Sequence, residues 1–112
     1  MAKMTWQINA DFDRLLLVLN EGIMKGSASA SFEDGSDYAS GDVRCAVRVY
    51  ERYSIIGSNR VSLNITLVGR GRDLFLTAIT SGGSQAMLFK INTFGESAFL
   101  DKVARIVDNY TE

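Results

Sequence analysis

Residues 61–80 read VSLNITLVGRGRDLFLTAIT, and this stretch decides the fold. Apolar and polar side chains alternate in its first half, which predicts a half-buried strand with one apolar face. Four residues form that face: Val61, Leu63, Ile65 and Leu67. A two-residue turn at Arg70-Gly71 brings Leu67 opposite Leu74, so the apolar face continues on the next strand. The stretch therefore predicts an antiparallel hairpin with one face directed to a core.

Two further strands extend this hairpin to a four-stranded meander. The strand before it has four apolar residues on one face: Val43, Cys45, Val47 and Val49. The strand after it, 85–92, is apolar on both faces. A turn at 57–59 and a Gly82-Gly83 turn keep one apolar face across all four strands. Agreement among three turns is stronger evidence than the propensity of any single strand.

The segments before the meander add a helix and an edge. A short alternating strand at 4–8 precedes a helix that Asn9 caps, with apolar residues at helical spacing. Residues 27–32 predict a weak edge strand. Residues 33–42 contain four acids beside glycine and serine, which predicts a long acidic loop.

The C-terminal segment predicts the helix that covers the sheet. Thr93 to Glu96 has the Thr-x-x-Glu form of a capping box, and an apolar stripe at helical spacing follows it. No other segment is long enough to cover the apolar face of the sheet. We therefore predict one α+β domain over residues 1–112, in the order β-α-β(4-5)-α. Its curved antiparallel sheet packs on a long C-terminal helix.

The composition excludes many mechanisms. The chain has 112 residues, no histidine, no proline and one cysteine, and its formal net charge is -1. The lack of histidine excludes the Ser-His-Asp and Cys-His nucleophiles and histidine metal sites. A single cysteine excludes an internal disulfide and cysteine-cluster zinc sites. We therefore predict neither a metal nor a cofactor.

The charge and hydropathy patterns also bear on location and partners. No apolar run reaches the ~20 residues needed to cross a bilayer, and the N-terminus lacks the apolar stretch of a signal peptide. We expect a reduced, cytoplasmic protein without membrane contact. The near-zero net charge lacks the basic signature of nucleic-acid binding proteins.

Three stretches carry a resemblance to a known family. They are SGDVRCAVRV at 40–49 followed by ERY at 51–53, AITSGGSQ at 78–85, and KINTFGE at 90–96. They resemble a small family of Firmicute bacterial proteins known only as a domain of unknown function. The likeness covers nearly the whole chain and implies no activity. The element order also resembles a reduced helix-grip arrangement of START-like and polyketide-cyclase-like proteins, which implies an apolar ligand cavity between sheet and last helix.

Glu51 is the candidate catalytic residue. Alternation places it on the apolar face between Val49 and Tyr53, where desolvation would raise the pKa of its carboxyl. Three alternatives remain: Glu51 lies at the rim of the sheet, a bulge turns it outward, or an arginine pairs with it. An enzyme of the polyketide-cyclase-like type would use Glu51 with a tyrosine such as Tyr53 or Tyr110.

The opposite face of the sheet is predicted to be basic and aromatic, as sites that hold phosphates and stack bases are. The candidate anion-binding residues are Arg44, Arg48, Tyr50, Arg52, Arg60 and Lys90. The alternative is a solvated face, or pairing of these arginines with the acids of 33–42. Nucleic-acid binding is the third of the functional hypotheses.

Apolar residues on the same outer face predict a contact surface. The interface candidates are Phe75, Ile79 and Leu88, with Val68 beside them. We therefore favour a non-enzymatic interaction module that self-associates as a homodimer or larger oligomer. It would hold a small apolar ligand between sheet and C-terminal helix, lined by Val47, Val49, Ile65, Leu76, Phe89, Phe99, Val103 and Tyr110. Cys45 is expected to be a small core residue.

Overall fold

A computed structural model describes residues 1–25, 30–53, 60–82 and 89–111 of the protein, and of residues 89–97 and 111 it describes only the backbone. Five strands and two helices lie in these ranges. In chain order they are β1 (Ala2–Asn9), α1 (Phe12–Lys25), β2 (Ser31–Ser40), β3 (Val43–Tyr53), β4 (Arg60–Arg70), β5 (Asp73–Gly82) and α2 (Phe89–Thr111).

The strands form one antiparallel sheet in the order β1-β5-β4-β3-β2. The predicted α+β class with an antiparallel sheet is confirmed. Each sequential pair from β2 to β5 lies side by side, while β1 pairs with β5 and closes the other side of the sheet. The two edges are therefore β1 and β2.

Both helices pack on one face of the sheet, which we call the helix side. α2 contacts β5, β1 and β4, and α1 contacts α2 and β4. The core lies between these layers. Its fully buried members come from both helices and from the three central strands, among them Leu15, Leu19, Tyr50, Leu63, Ile65, Leu67, Leu76, Phe99 and Val103.

The expected strand at 85–92 is corrected. Residues 89–92 belong to α2, and 85–88 lie outside the described residues. The physical reason is that β5 has no free edge, because β4 occupies one side and β1 the other. The helix also begins at Phe89, so Thr93 lies inside it and the Thr-x-x-Glu motif does not mark its start.

The expected acidic loop is corrected as well. Residues 31–40 form the edge strand β2, with an irregularity between Phe32 and Asp34. An edge strand accepts acids because its side chains remain in water, and nearly all of this strand is exposed. Asp37 also has a partner, since Arg48 donates to it across the β2–β3 pair at 3.0 Å.

The most consequential correction concerns the orientation of β3. Tyr53 pairs with Arg60, so Tyr50 lies opposite Leu63 and faces the helices, whereas Val49 lies opposite Asn64. A register change of one residue reverses every side chain of a strand. The valines of β3 and Cys45 therefore face away from the helices, contrary to expectation.

The turn between β4 and β5 also lies one position from the predicted one, but the faces of these two strands are not reversed. Arg70 pairs with Asp73, so Gly71 and Arg72 form the turn. Gly71 has a φ of 59°, which glycine adopts without steric cost. Leu67 consequently lies opposite Leu76 rather than Leu74. The partner changes by two residues, so the same faces meet.

The start of α1 also differs in detail. The Asp11 carboxylate accepts a hydrogen bond from the Arg14 N–H at 2.9 Å, which makes Asp11 the capping residue. Asn9 instead accepts a hydrogen bond from Arg72 Nε at 3.1 Å. Gly22 lies inside the helix, where an added Cβ would come within 2.6 Å of Ile106 Cδ1, so it allows α1 and α2 to approach closely.

Candidate interaction surface

The second face of the sheet, here called the outer face, points away from both helices. The strand registers arrange its side chains in rows that run across the strands from β1 to β2. The Phe75 row contains Gln7, Phe75, Val68, Cys45 and Tyr38. The Thr77 row contains Thr5, Thr77, Thr66, Val47 and Ser36. The Ile79 row contains Lys3, Ile79, Asn64, Val49 and Asp34.

The centre of this face is apolar. On β3, Val43, Cys45, Val47 and Val49 all lie there and are half-buried. Val68 and Ile79 on the neighbouring strands are likewise half-buried, and Phe75 is 41% exposed. Phe75, Ile79 and Val68 thus lie on the face that the sequence assigned to them, and Leu88 lies outside the described residues. Side chains of one strand pack against those of the next, but none of the described elements covers the face.

A shallow hollow of about 720 Å³ lies at the end of the outer face near the β4–β5 turn. Outer-face residues of four strands line most of it: Gln7, Asn9, Val43, Val68, Arg70, Asp73 and Phe75. Its lining combines amide and charged groups with apolar side chains, and it opens to solvent. Tyr38, at the far edge of the Phe75 row, is 68% exposed.

Glu51 also lies on the outer face, which corrects its expected position in the core. It pairs with Ser62, and its side chain is 30% exposed. Arg60 Nη2 lies 2.6 Å from Glu51 Oε1, and the Ser62 hydroxyl donates to Glu51 Oε2 at 3.4 Å. The alternative of an arginine partner is the one observed. The carboxylate is neither covered by a helix nor left without a cation.

Tyr53 shares this end of the outer face. The Arg60 guanidinium carbon lies 5.4 Å from the centroid of the Tyr53 ring. Arg60 also lies 3.6 Å from a carboxylate oxygen of Glu33 on β2. Arg60 is therefore on the outer face, as predicted, but neighbouring acids and an aromatic ring surround its charge.

The arginines of β3 lie on the helix side, which corrects the expected row of cations on the outer face. Arg44 donates to both carboxylate oxygens of Asp13 on α1, at 2.8 and 3.0 Å. These hydrogen bonds hold the pKa of Asp13 below its ordinary value and raise that of Arg44. The Arg44 guanidinium carbon also lies 4.3 Å from the centroid of the Phe12 ring. These contacts link β3 to α1.

Arg48 and Arg52 continue this column. Arg48 pairs with Asp37 and donates to the Val47 carbonyl at 2.9 Å. The Arg52 guanidinium carbon lies 4.3 Å from the centroid of the Phe99 ring, and burial lowers the pKa of Arg52. The three arginines thus cover the border of the core with their aliphatic stems. They do not form the phosphate-binding row that the alternation predicted.

Tyr50 is the buried polar side chain of β3 and lies on the helix side. Its hydroxyl donates to Asn20 Oδ1 on α1 at 2.7 Å. Burial raises the pKa of Tyr50 to about 12. Its ring contacts Phe32 edge-on, with centroids 5.8 Å apart. Tyr50 therefore belongs to the core and not to the outer-face site in which it was expected.

The residues predicted to line a ligand space are divided between the two faces. Ile65, Leu76, Phe99 and Val103 are fully buried in one packed cluster, and Tyr110 packs against it. Val47 and Val49 face the other way. The side chains of Phe89 and Lys90 lie outside the described residues. The predicted lining residues therefore do not all face one common space.

A second concave feature lies beside α1, and no pattern in the sequence indicated it. A groove of about 510 Å³ separates α1 from β2. It is lined by Asp13, Leu16, Leu17, Asn20, Met24, Phe32 and Arg48. Leu17 and Phe32 are 56% and 49% exposed, so apolar walls meet water here. It went unrecognised because alternation assigned Arg48 to the face opposite the helices, which separated it from α1.

No group of three or more His, Cys, Asp or Glu side chains in 1–25, 30–53, 60–82 and 89–111 is arranged to hold a metal ion. Within the same ranges, neither helix combines the length and apolar character required to span a membrane. Cys45 has a free thiol.

The fold and its surfaces define a class of protein: a two-layer α+β domain with helices on one face of a five-stranded antiparallel sheet. The chain belongs to the family of unknown function DUF6054, whose model matches residues 1–111. The expected resemblance to a domain of unknown function is thereby confirmed. Comparison with curated proteins finds no match, and comparison with solved structures finds none either.

Proposed function

We propose that this protein is a non-enzymatic interaction module that self-associates through the outer face of its sheet. The observation that carries the proposal is the apolar centre of that face, formed by Val43, Cys45, Val47 and Val49 with Val68, Phe75 and Ile79. A contiguous apolar surface with a polar rim is typical of a protein contact site.

The size of the outer face supports a second copy as its occupant. Five strands about 4.8 Å apart and roughly eight to eleven residues long make a face of about 24 by 30 Å. Two such faces in contact would bury roughly 1,400 Å² in total, which lies within the ~1,200–2,000 Å² of stable interfaces. Two antiparallel sheets also pack well face to face, about 10 Å apart.

The acidic residues along the β2 edge indicate that two copies associate through the outer face and not through their strand edges. Glu33, Asp34 and Asp37 lie along β2, and Asp42 follows in the next turn. Antiparallel pairing of two β2 edges would bring these like charges together, and such charges commonly prevent edge-to-edge pairing.

Analytical ultracentrifugation tests this proposal. The wild-type chain is expected to dimerise in the micromolar range, and Phe75→Ser is expected to weaken the dimer strongly without unfolding the protein. Leu17→Ser is the matched control, since Leu17 is also an exposed apolar residue but lies in the α1–β2 groove. A wild-type protein that remains monomeric at high micromolar concentration would overturn the proposal.

A second candidate function is supported by the α1–β2 groove. We propose that it accepts a small apolar ligand, because exposed Leu17 and Phe32 lie on its two walls. Binding of an environment-sensitive apolar dye is expected to decrease in Leu17→Ser and to persist in Phe75→Ser. Equal binding by both variants would contradict this candidate.

We further propose that the fold is a reduced helix-grip arrangement. The order β-α-β-β-β-β-α and the packing of α2 across the sheet support it. An experimental structure of this chain, superposed on START-like domains, tests the relation. Failure of α2 to overlap the last helix of those domains would contradict it.

A further inference from the structure

Opposite edges of the outer face carry complementary features in the same rows. In the Ile79 row, Lys3 lies at the β1 edge and Asp34 at the β2 edge. Both side chains are exposed. In the Phe75 row, Gln7 lines the hollow near the β1 edge, and the exposed ring of Tyr38 stands at the β2 edge. A feature on one edge thus has its complement on the other edge of the same row.

Lys3 and Asp34 have no ionic partner among the described residues of their own chain. The ion pairs among the described residues join arginines to acids other than Asp34, and none of them includes Lys3. Asp34 accepts a hydrogen bond from the Gly35 N–H at 2.8 Å, but none of the described cations pairs with its carboxylate. By contrast, the neighbouring acids Glu33 and Asp37 both face arginines.

We propose that two copies of this chain pack outer face to outer face about a two-fold axis parallel to the strands and close to β4. This inference rests on the proposed self-association and specifies its geometry. Rotation about such an axis keeps every row in place and reverses the order of the strands. The β1 edge of one copy then lies over the β2 edge of the other.

This axis brings the complementary features together twice, as a two-fold interface requires. Lys3 of each copy faces Asp34 of the other, and Tyr38 of each copy projects toward the hollow beside Gln7. Between them, apolar groups meet apolar groups, because Phe75 opposes Cys45 and Ile79 opposes Val49 of the partner copy. The long side chains of Lys3 and Tyr38 span the offset from the roughly 30° angle between packed sheets.

A two-fold axis perpendicular to the strands gives a different pairing. It keeps the strand order and reverses the rows, so Lys3 would face Gln7 and Asp34 would face Tyr38 of the other copy. Neither charge would then meet an opposite charge. The charge arrangement therefore favours the axis parallel to the strands, since opposite charges across an interface fix its register.

The area and charge arguments favour a second copy over other occupants. The face has about the extent that a standard dimer interface requires, and the two charges without an ionic partner at the ends of its Ile79 row are complementary to a reversed copy of itself.

Charge reversal tests the geometry. Lys3→Glu and Asp34→Lys are each expected to weaken the dimer about tenfold or more, because each converts two attractive contacts into two repulsive ones. An equimolar mixture of the two variants is expected to form mixed dimers within about threefold of wild-type affinity. In that mixed dimer, positions 3 and 34 carry opposite charges at both contacts. Sedimentation equilibrium measures all three affinities.

The controls are Glu21→Lys and Lys25→Glu, which reverse exposed charges on α1 at the other side of the sheet. They are expected to leave the affinity unchanged, alone and mixed. If the wild type dimerises and the single variants bind as tightly as it does, this geometry is overturned. It is also overturned if the single variants bind more weakly and their mixture does not recover the affinity. In both cases the proposed self-association is retained. A monomeric wild-type protein overturns both.

Discussion

The two faces of β5 differ although their residues alternate along one strand. On the helix side, Leu74, Leu76, Ala78 and Thr80 are buried, whereas Phe75, Thr77 and Ile79 on the outer face are exposed or half-buried. Hydrophobicity does not distinguish Leu76 from Phe75; the difference is that a layer of helices covers only one of them. The helix side of β5 therefore belongs to the buried core, whereas its outer face is not covered by the described elements.

Substitution of adjacent residues on β5 gives the largest test of this comparison. Leu76→Ala is expected to lower the free energy of unfolding by about 3 kcal/mol, because it leaves a cavity beneath the helices. Phe75→Ala is expected to cost less than about 1 kcal/mol, because its side chain already meets water. Urea unfolding of both variants, at concentrations where the wild type is monomeric, measures the difference.

The same two variants should show the reverse order in association. Phe75→Ala is expected to weaken the dimer, and Leu76→Ala should leave its affinity close to that of the wild type as long as the protein remains folded. If Phe75→Ala destabilised the monomer as much as Leu76→Ala, the separation of roles between the faces would be wrong.

The hairpin of β4 and β5 shows how much the sequence predicts. Strict alternation placed Ile65 and Leu76 on one face, and a glycine turn joined their strands, so both faces were predicted correctly. The turn lies one position from the predicted one, yet this changes the pairing by two residues. Local pattern therefore determined which residues are buried, even where the partner was wrong.

The orientation of β3 could not be predicted in this way. Both of its faces contain residues that fit a core, because valines alternate with arginines around Ala46 and Tyr50. The choice depends on whether the connection to β4 has an odd or even number of residues, and the sequence of 54–59 does not specify its pairing. The long arginine stems then cover the core border where valines were expected. Glu51 was predicted on the wrong face for the same reason, because the orientation of the whole strand is reversed.

The prediction of a strand at 85–92 was wrong for a different reason. Its apolar pattern fitted a meander, but the edge of β5 is taken by β1, which comes from the other end of the chain. Competition between distant segments for one edge is a tertiary effect, and no local periodicity reveals it. Lys3 and Asp34, at opposite edges of the sheet, share a row of the outer face only because β1 pairs with β5.

A smaller test concerns Tyr50, the polar group on the helix side. Tyr50→Phe is expected to lower the free energy of unfolding by about 1 kcal/mol at neutral pH, because it removes the hydrogen bond to Asn20. Tyr38→Phe, on the exposed outer face, is the control and should change this free energy little.

The cost of Tyr50→Phe should diminish at high pH. Burial raises the pKa of Tyr50 from 10.0 in the unfolded chain to about 12 in the fold, so the fold favours the neutral phenol. The stability that depends on the neutral phenol is fully present below pH 10 and is lost as the pH rises toward 12. The free energies of unfolding of wild type and variant, measured between pH 7 and about 11.5, should approach each other above pH 10 and meet within that range. Parallel curves would show that Tyr50 does not titrate differently in the fold.

The smallest expected effect lies at the border between the covered and open regions, where Arg52 contacts Phe99. Arg52→Met keeps an unbranched apolar stem over that ring and removes the charge, so its cost to stability should stay below about 0.5 kcal/mol.

The informative readout is Lys102 on α2, whose pKa is lowered by burial and by the charges of Arg52 and Arg105. Arg52→Met should raise the pKa of Lys102 toward its ordinary value of 10.5, whereas Arg52→Lys, which retains the charge, should not. Titration of the Lys102 side chain by NMR measures this shift. An unchanged pKa in Arg52→Met would mean that Arg52 interacts with the helix layer through its contact with Phe99 alone.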